Sequence, residues 1–335
     1  VTLSSRHRDD TRTDTGARPL DVLNFVTNQE AQFYERQLRT IASFGIASTT
    51  VSVPGKSHSA SVEAGTTGQR SLFDYARFGT RALRHSLGDY DLLHANYGLT
   101  APPAVVQPRL PVVLSLWGSD LLGEYGWVTR RLVPHVDAVI VMSDRMAAEL
   151  DRDCHVIPHG VDLDTFVPRP QADARAELGW NDSARHVLFP YPPKREVKDF
   201  PRAERVVERA RERLDESVTL QTISDVPHSK MPTYMNAADV LLLTSKREGS
   251  PNTVKEAMAC NTPVVATAVG DVPERLDGVT PSGVGRTDPE LIDGLVEVLR
   301  AGGPSNGRDH ARDLSLERMG QRIRAVYDEV LDDRA

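Results

Sequence analysis

An α/β chain built from two doubly wound halves is the architecture that the sequence predicts, and three observations predict it. From Leu20 onward, short apolar runs alternate with amphipathic stretches. That alternation marks right-handed βαβ crossovers and a mostly parallel sheet. The rhythm loosens once, over Ile157–Pro170, where prolines and glycines gather, and resumes at His186–Pro190. The length of 335 residues suits two domains, at roughly 150 residues each, better than one.

Each element follows from its local pattern. Val1–Pro19 is polar and reads as a disordered tail, without the apolar segment of a signal peptide. Leu20–Val26 is a buried strand. Gln29–Ser43 carries Phe33, Gln37, Leu38 and Ile41 at helical spacing, with Gly45 as its expected C-cap. Ser48–Val53 is the next strand, followed by a polar loop up to Gln69 and a helix over Leu72–His85. Asp91–Ala95, Val112–Leu116 and Ala138–Met142 are further strands with helices between them. In the second half the order is strand His186–Pro190, helix Pro201–Leu214, strand Val218–Thr222, a short helix over Thr233–Ala238 and strand Asp239–Thr244. A helix from Pro251 and strand Pro263–Thr267 follow. Gly302–Gly307 is a glycine-rich break. Leu316–Leu331 is amphipathic, with Met319, Ile323, Val326, Tyr327 and Val330 on one side, and needs a surface to pack on.

Composition narrows the function. With 40 Lys+Arg against 47 Asp+Glu the net charge is −7, which argues against a dedicated nucleic-acid binder. No run reaches the roughly 20 apolar residues of a membrane span. Cys154 and Cys260 have no metal-like spacing, so a reduced, cytoplasmic protein is expected. The sequence has no G-x-G-x-x-G, P-loop or H-E-x-x-H motif, which leaves dinucleotide redox, NTPase and zinc-protease chemistry without support. Asp151–Asp153 and Asp162–Asp164 spell D-x-D, but read as helix-end and loop residues.

In open α/β sheets ligands bind beyond the carboxyl ends of strands, so residues just after strands carry the information. The sharpest such segment is Ser245–Glu256, directly after Val240–Leu243. Ser250 fits an N-cap and Pro251 a first helical position. The free N–H groups and positive dipole end of that helix form an anion site. Glu248 precedes the helix, within reach of a crevice, and Glu256 lies more than one turn inside it. On spacing alone the pair reads equally well as a capping carboxylate and a surface carboxylate.

Glu248-Gly249-x6-Glu256, continued by Ala257-Met-Ala-Cys-Asn-Thr-Pro-Val-Val-Ala266, resembles the E-x7-E donor block of the family 4 retaining glycosyltransferases of the GT-B fold. Ile157–Phe166 resembles the family's hinge, Asp239–Ser245 its following strand and Val269–Glu274 its next loop. The resemblance implies two Rossmann-like domains facing a cleft. They would comprise an N-terminal acceptor domain over 20–165 and a nucleotide-sugar donor domain over 166–315. A C-terminal helix over 316–335 would return to the first domain. It further implies that Glu256 binds the ribose hydroxyls and Glu248 the transferred sugar. Backbone N–H groups around Gly249, Ser250, Asn252 and Thr253 would help hold the diphosphate. Arg195 and Lys198 match the family's cation pair, which stabilises charge developing on the leaving phosphate; spacing alone leaves Lys194 as an alternative to Arg195. Neither a cofactor nor a metal is implied, because the nucleoside-diphosphate sugar is the co-substrate.

The first half departs from that family in two places. The family's glycine-rich loop is replaced by Thr27-Asn28-Gln29-Glu30-Ala31-Gln32, where the Asn28 or Gln29 side chain would have to substitute for close main-chain approach. Where His-Gly-Ser/Thr is common, the chain has Trp117-Gly118-Ser119-Asp120. Trp117 is an aromatic platform or a packing residue, and Gly118–Asp120 a crevice turn. Asp120 either binds an acceptor hydroxyl or caps the helix that follows it. His94 either faces the acceptor or is structural.

The helix Leu72–His85 mixes Phe73, Phe78 and Leu83 with Arg70, Arg77, Arg81 and Arg84. This mixture would suit peripheral contact with an anionic membrane holding a lipid-linked acceptor, but the plainer expectation is a core-facing helix with its arginines in solvent. The function expected is retaining transfer, in glycan biosynthesis, of a sugar from a nucleoside-diphosphate sugar to a hydroxyl of a glycan, lipid-linked sugar or small molecule. A GT-B sugar-nucleotide epimerase and a non-catalytic nucleotide-sugar-binding subunit are the alternatives.

Overall fold

The computed structural model describes residues 18–55 and 70–334. Residues 1–17 of the expected tail and 56–69 of the expected polar loop lie outside the described residues. The chain divides into two compact units, Val1–Pro158 with Glu317–Ala335, and His159–Leu316.

The first unit holds a fully parallel six-stranded sheet. Its strands are β1 (Leu20–Val26), β2 (Ile46–Ser52), β3 (Leu92–Asn96), β4 (Val112–Leu116), β5 (Ala138–Val141) and β6 (His155–Val156), in the order β2-β1-β3-β4-β5-β6. Strands β3, β4 and β5 are buried at every position, as sheets covered on both faces require. The helices are α1 (Gln32–Ala42), α2 (Leu72–His85), α3 (Ala101–Val106), α4 (Ser119–Leu122), α5 (Gly126–Leu132) and α6 (Asp144–Ala147). Helix α1 buries Tyr34, Gln37 and Ile41 and has its C-cap at Ser43, not at Gly45. Gly45 instead takes φ +73° and turns the chain into β2. Helix α2 begins with a reciprocal capping box between Ser71 and Asp74.

The second unit holds a parallel five-stranded sheet, β7 (Arg185–Phe189), β8 (Val218–Thr222), β9 (Val240–Leu243), β10 (Val264–Thr267) and β11 (Ser282–Gly285), in the order β11-β10-β9-β7-β8. Its helices are α7 (Gln171–Leu178), α8 (Phe200–Arg211), α9 (Met231–Ala237), α10 (Asn252–Ala259), α11 (Val272–Arg275), α12 (Asp288–Ala301) and α13 (Gly307–Ala311). Residues 159–165 belong to this unit. Val161 bridges Ser315, and Phe166 is fully buried in the unit's apolar core. The last helix, α14 (Leu316–Asp332), runs into the first unit. There its buried Tyr327 hydroxyl meets His94, and Arg324 donates to the Phe44 carbonyl at 3.0 Å.

Each sheet reverses its direction of growth once. In the first unit β1 is followed outward by β2, and β3 then starts on the other side of β1. In the second, β7 is followed by β8, and β9 starts on the other side of β7. Chain leaving adjacent strands in opposite directions opens a crevice at their carboxyl ends. Each unit therefore has one such switch point, at β1/β3 and at β7/β9.

Candidate functional site

The β7/β9 switch point gathers most of the donor residues expected from the sequence. The loops after β7 and β9 are bonded together. Thr244 Oγ1 donates to the carbonyls of Lys198 and Asp199, both at 3.0 Å, and the Lys246 N–H donates to the Val197 carbonyl at 2.9 Å. That junction places Lys198 Nζ 2.6 Å from Glu248 Oε1, with side-chain exposures of only 7% and 15%. The ammonium also lies 3.9 Å from the centre of the Tyr191 ring. Burial works against the charge on Lys198, but Tyr191 and Glu248 outweigh it and hold Nζ above the ordinary lysine range.

Tyr191 joins three of these parts. The guanidinium carbon of exposed Arg195 lies 5.3 Å from the same ring, and the Tyr191 hydroxyl is 2.7 Å from Thr253 Oγ1 in the first turn of α10. The ring thus sits under both expected cations while its hydroxyl reaches the helix N-terminus. Lys194, the alternative to Arg195, is exposed.

Helix α10 begins one residue later than expected. Pro251, not Ser250, is its N-cap, and no side chain caps it. Ser250 Oγ instead accepts from Lys255 Nζ at 3.3 Å, and the same ammonium donates to the His159 carbonyl at 2.6 Å. Lys255 is 1% exposed, and burial lowers its pKa to about 8. Gly249 is held from behind. Its carbonyl accepts from the Asp271 N–H at 3.2 Å, and a Cβ on Gly270 (φ +58°) would fall 2.4 Å from that oxygen. Asn252 Oδ1 and Ser245 Oγ are buried without hydrogen-bond partners among the described residues. Glu256 is buried as well, with Oε1 2.8 Å from His228 Nε2 in the turn after β8.

Tyr191, His228 and Lys255 were not singled out from the sequence. The first two follow β7 and β8, so the rule that residues beyond strand ends carry the site would have reached them. Lys255 lay hidden as an ordinary helix lysine beside Glu256.

At the first unit's switch point the expected acceptor-side residues divide. Trp117 packs edge-on against Phe33, with centroids 4.8 Å apart, and lies 5.8 Å from Tyr97. Ser119 is exposed, with Oγ 2.9 Å from the Tyr97 hydroxyl, and Asn28 Oδ1 accepts from the Glu30 N–H at 3.1 Å. Asp120 is buried and turned inward. It accepts from the N–H groups of Gly98 (2.9 Å), Trp117 (2.9 Å) and Gly118 (2.8 Å), so it staples two loops together. Burial pushes its pKa up to about 6 against those bonds. His94 is fully buried, with Nδ1 2.6 Å from the Tyr327 hydroxyl and Nε2 2.7 Å from Ser115 Oγ. Both ring nitrogens serve the core and none faces a ligand. A buried amide relay from Gln37 through Asn96 to Asn24, each step 3.2 Å, runs beneath the same strands.

The family model described as Glycosyltransferase Family 4 matches residues 50–165, and that described as Glycosyl transferases group 1 matches residues 198–300. Together they cover about two thirds of the chain. D-inositol 3-phosphate glycosyltransferase 1 of Catenulispora acidiphila is 26% identical over 315 residues, which span 74% of each protein. Among solved structures, sucrose-phosphate synthase from Thermosynechococcus elongatus superposes with a TM-score of 0.73 at 17% identity, over 94% of this chain and 100% of that one. HepE of Anabaena in complex with UDP-glucose superposes with a TM-score of 0.65 at 16% identity, over 92% of this chain and 100% of that one.

Proposed function

The chain belongs to glycosyltransferase family 4 (group 1) and has the GT-B fold of two parallel-sheet α/β domains, and on that premise we propose that it moves a sugar from a nucleoside-diphosphate sugar to an acceptor hydroxyl with retention of configuration. The observation that carries this reading is the pairing of Lys198 with Glu248 at 2.6 Å where β7 and β9 diverge. It sets a cation for a phosphate beside a carboxylate for sugar hydroxyls. HepE, solved with UDP-glucose and with UDP, lends the nucleotide-sugar class further support.

In this reading Glu256, oriented by His228, receives the ribose hydroxyls, and the N-terminal turn of α10 receives the diphosphate. The diphosphate competes with Glu248 for Lys198, and Glu248, released, accepts hydrogen bonds from the donor sugar. As the bond between the anomeric carbon and the diphosphate oxygen breaks, its electron pair passes to the leaving phosphate. Lys198 and Arg195 stabilise the charge that develops there. The acceptor oxygen bonds to the anomeric carbon on the face that the phosphate leaves, and the hydroxyl proton passes to the departing phosphate oxygen. The cations in this reading are side chains, so the reaction takes no resident cofactor or metal. The first unit supplies the acceptor side, with Trp117, Ser119, Tyr97 and Asn28 as its polar and aromatic surface.

A thermal-shift screen of nucleotide sugars identifies the donor, and NMR of the product formed with a simple sugar acceptor reads the anomeric configuration. Retention with release of the nucleoside diphosphate is expected. An inverted product contradicts the mechanism, and an epimerised donor with no transfer contradicts the activity.

A further inference from the structure

Helix α2 departs in part from the expected core-facing arrangement. Phe78 faces inward and Arg77 and Arg84 lie in solvent as expected, but Leu72, Phe73 and Leu83 are exposed beside them. Leu72 and Phe73 are 91% and 73% exposed, and Leu83 is exposed on the same side two to three turns later. Leu72, Ala76, Thr80 and Leu83 recur at the spacing of one helix face, whereas inward-facing Phe78 and Ala82 are buried. Beyond the helix, Leu87 (67% exposed) and Val106 of α3 (70%) line one groove with Leu83 and the arginines Arg84 and Arg109. Single exposed leucines are ordinary on a protein surface, but several large apolar side chains gathered on one side mark a docking face.

Charge identifies what docks there. Arg77, Arg81 and Arg84 follow one another at helical spacing along one flank of this apolar side, and Arg109 borders its end. The only acid within the helix, Asp74, is turned back on Ser71 in the capping box. Residues 56–69, just before the helix in sequence, include Val62 as their one large apolar side chain. An apolar side flanked by cations on a helix lying along the surface is the pattern that inserts into the headgroup layer of an anionic bilayer. Arg70 fixes where the helix starts. Its guanidinium donates to the carbonyls of Thr27, Val53, Pro54 and Gly55, which ties Leu72 and Phe73 to the edge where β1 and β2 end.

We propose that the first unit docks on an anionic membrane surface through the outer face of α2, with Leu72, Phe73 and Leu83 entering the interface and Arg77, Arg81 and Arg84 meeting acidic headgroups. This inference goes beyond the proposed function, whose donor chemistry needs no membrane. The test is co-sedimentation of the full chain with vesicles of phosphatidylglycerol and phosphatidylcholine, beside vesicles of phosphatidylcholine alone. Binding to the anionic vesicles is expected to be stronger by about tenfold or more, and 0.5 M salt should remove most of that gain. Phe73→Ser with Leu83→Ser, and separately Arg77→Glu with Arg84→Glu, should each lower anionic-vesicle binding by about tenfold or more. All four sites lie outside the core, so each double variant should keep the wild-type Tm and nucleotide affinity. Equal binding to both vesicle types, no binding to either, or binding untouched by both double variants overturns the proposal. A dimer in sedimentation velocity that the apolar variant dissolves, without vesicle binding, overturns it in favour of a second copy.

Discussion

Lys198 and Glu248 come from loops after two different strands, yet their charged atoms lie 2.6 Å apart, with the ammonium 3.9 Å from the centre of the Tyr191 ring. A buried ammonium so held is a positioned charge that needs little rearrangement to serve a leaving phosphate. Lys198→Ala is expected to lower kcat with the identified donor by about 100-fold or more, measured by steady-state kinetics. A kcat within a few-fold of wild type would remove Lys198 from the reaction.

Tyr191 supports two cations with one ring and reaches Thr253 with its hydroxyl. Tyr191→Phe keeps the ring and should cost about 1 kcal/mol, the worth of one hydrogen bond. Tyr191→Leu removes the ring, and the donor KM should rise by about tenfold. If the two variants behave alike in donor kinetics, the ring does not position the cations.

Gly270 stands behind the donor loop with φ +58°, and a Cβ there would meet the Gly249 carbonyl at 2.4 Å. Gly270→Ala combines a left-handed backbone with a clash, so a loss of roughly 2–4 kcal/mol in unfolding free energy is expected. Nucleotide affinity should fall with it, because the displaced carbonyl carries the loop before α10. Denaturant titration and calorimetry on the same variant check both effects.

His94 gives a pH dependence whose sign is fixed by burial. Desolvation lowers its pKa to about 3, from an ordinary 6.5. As pH falls below 6.5 the unfolded chain takes up the proton first, so this histidine's contribution to stability is lost on acidification. Between pH 7 and pH 5 the loss is about 2 kcal/mol. The stability difference between wild type and His94→Gln, measured in denaturant at the two pH values, should shift by that amount against the wild type. A difference that does not change with pH contradicts the buried neutral ring.

Much of this was legible because burial on both faces of a parallel sheet writes itself as apolar runs. Strands β1, β4 and β8 stand at their expected residues, and β2, β3, β5, β7, β9 and β10 lie within a residue or two of theirs. Strand β11 is Ser-Gly-Val-Gly, too short and too poor in apolar side chains to signal itself, and exists because β10 offers a partner. In the candidate site, Lys198, Glu248 and Glu256 were legible from their order along the chain. Tyr191 and His228 were not, since what makes them matter is the register that brings the loops of β7, β8 and β9 together. His94 and Asp120 were ambiguous for a related reason: a polar residue beyond a strand can turn toward a ligand or toward a neighbouring loop. Here Tyr327 and Ser115 engage one, and the N–H groups of Gly98, Trp117 and Gly118 the other. For α2 the solvent-facing arginines and the inward Phe78 were legible, but periodicity does not show that Leu72, Phe73 and Leu83 stay exposed.

The most direct test of the proposed donor site is calorimetric titration of wild type and Glu256→Ala with the nucleoside diphosphate that the wild type binds. Glu256 is buried, with one carboxylate oxygen on His228, and a ribose held by this charged acceptor should depend on it strongly. The account predicts saturable binding by the wild type and an affinity about tenfold or more lower in the variant. Equal affinity in the two proteins would contradict it.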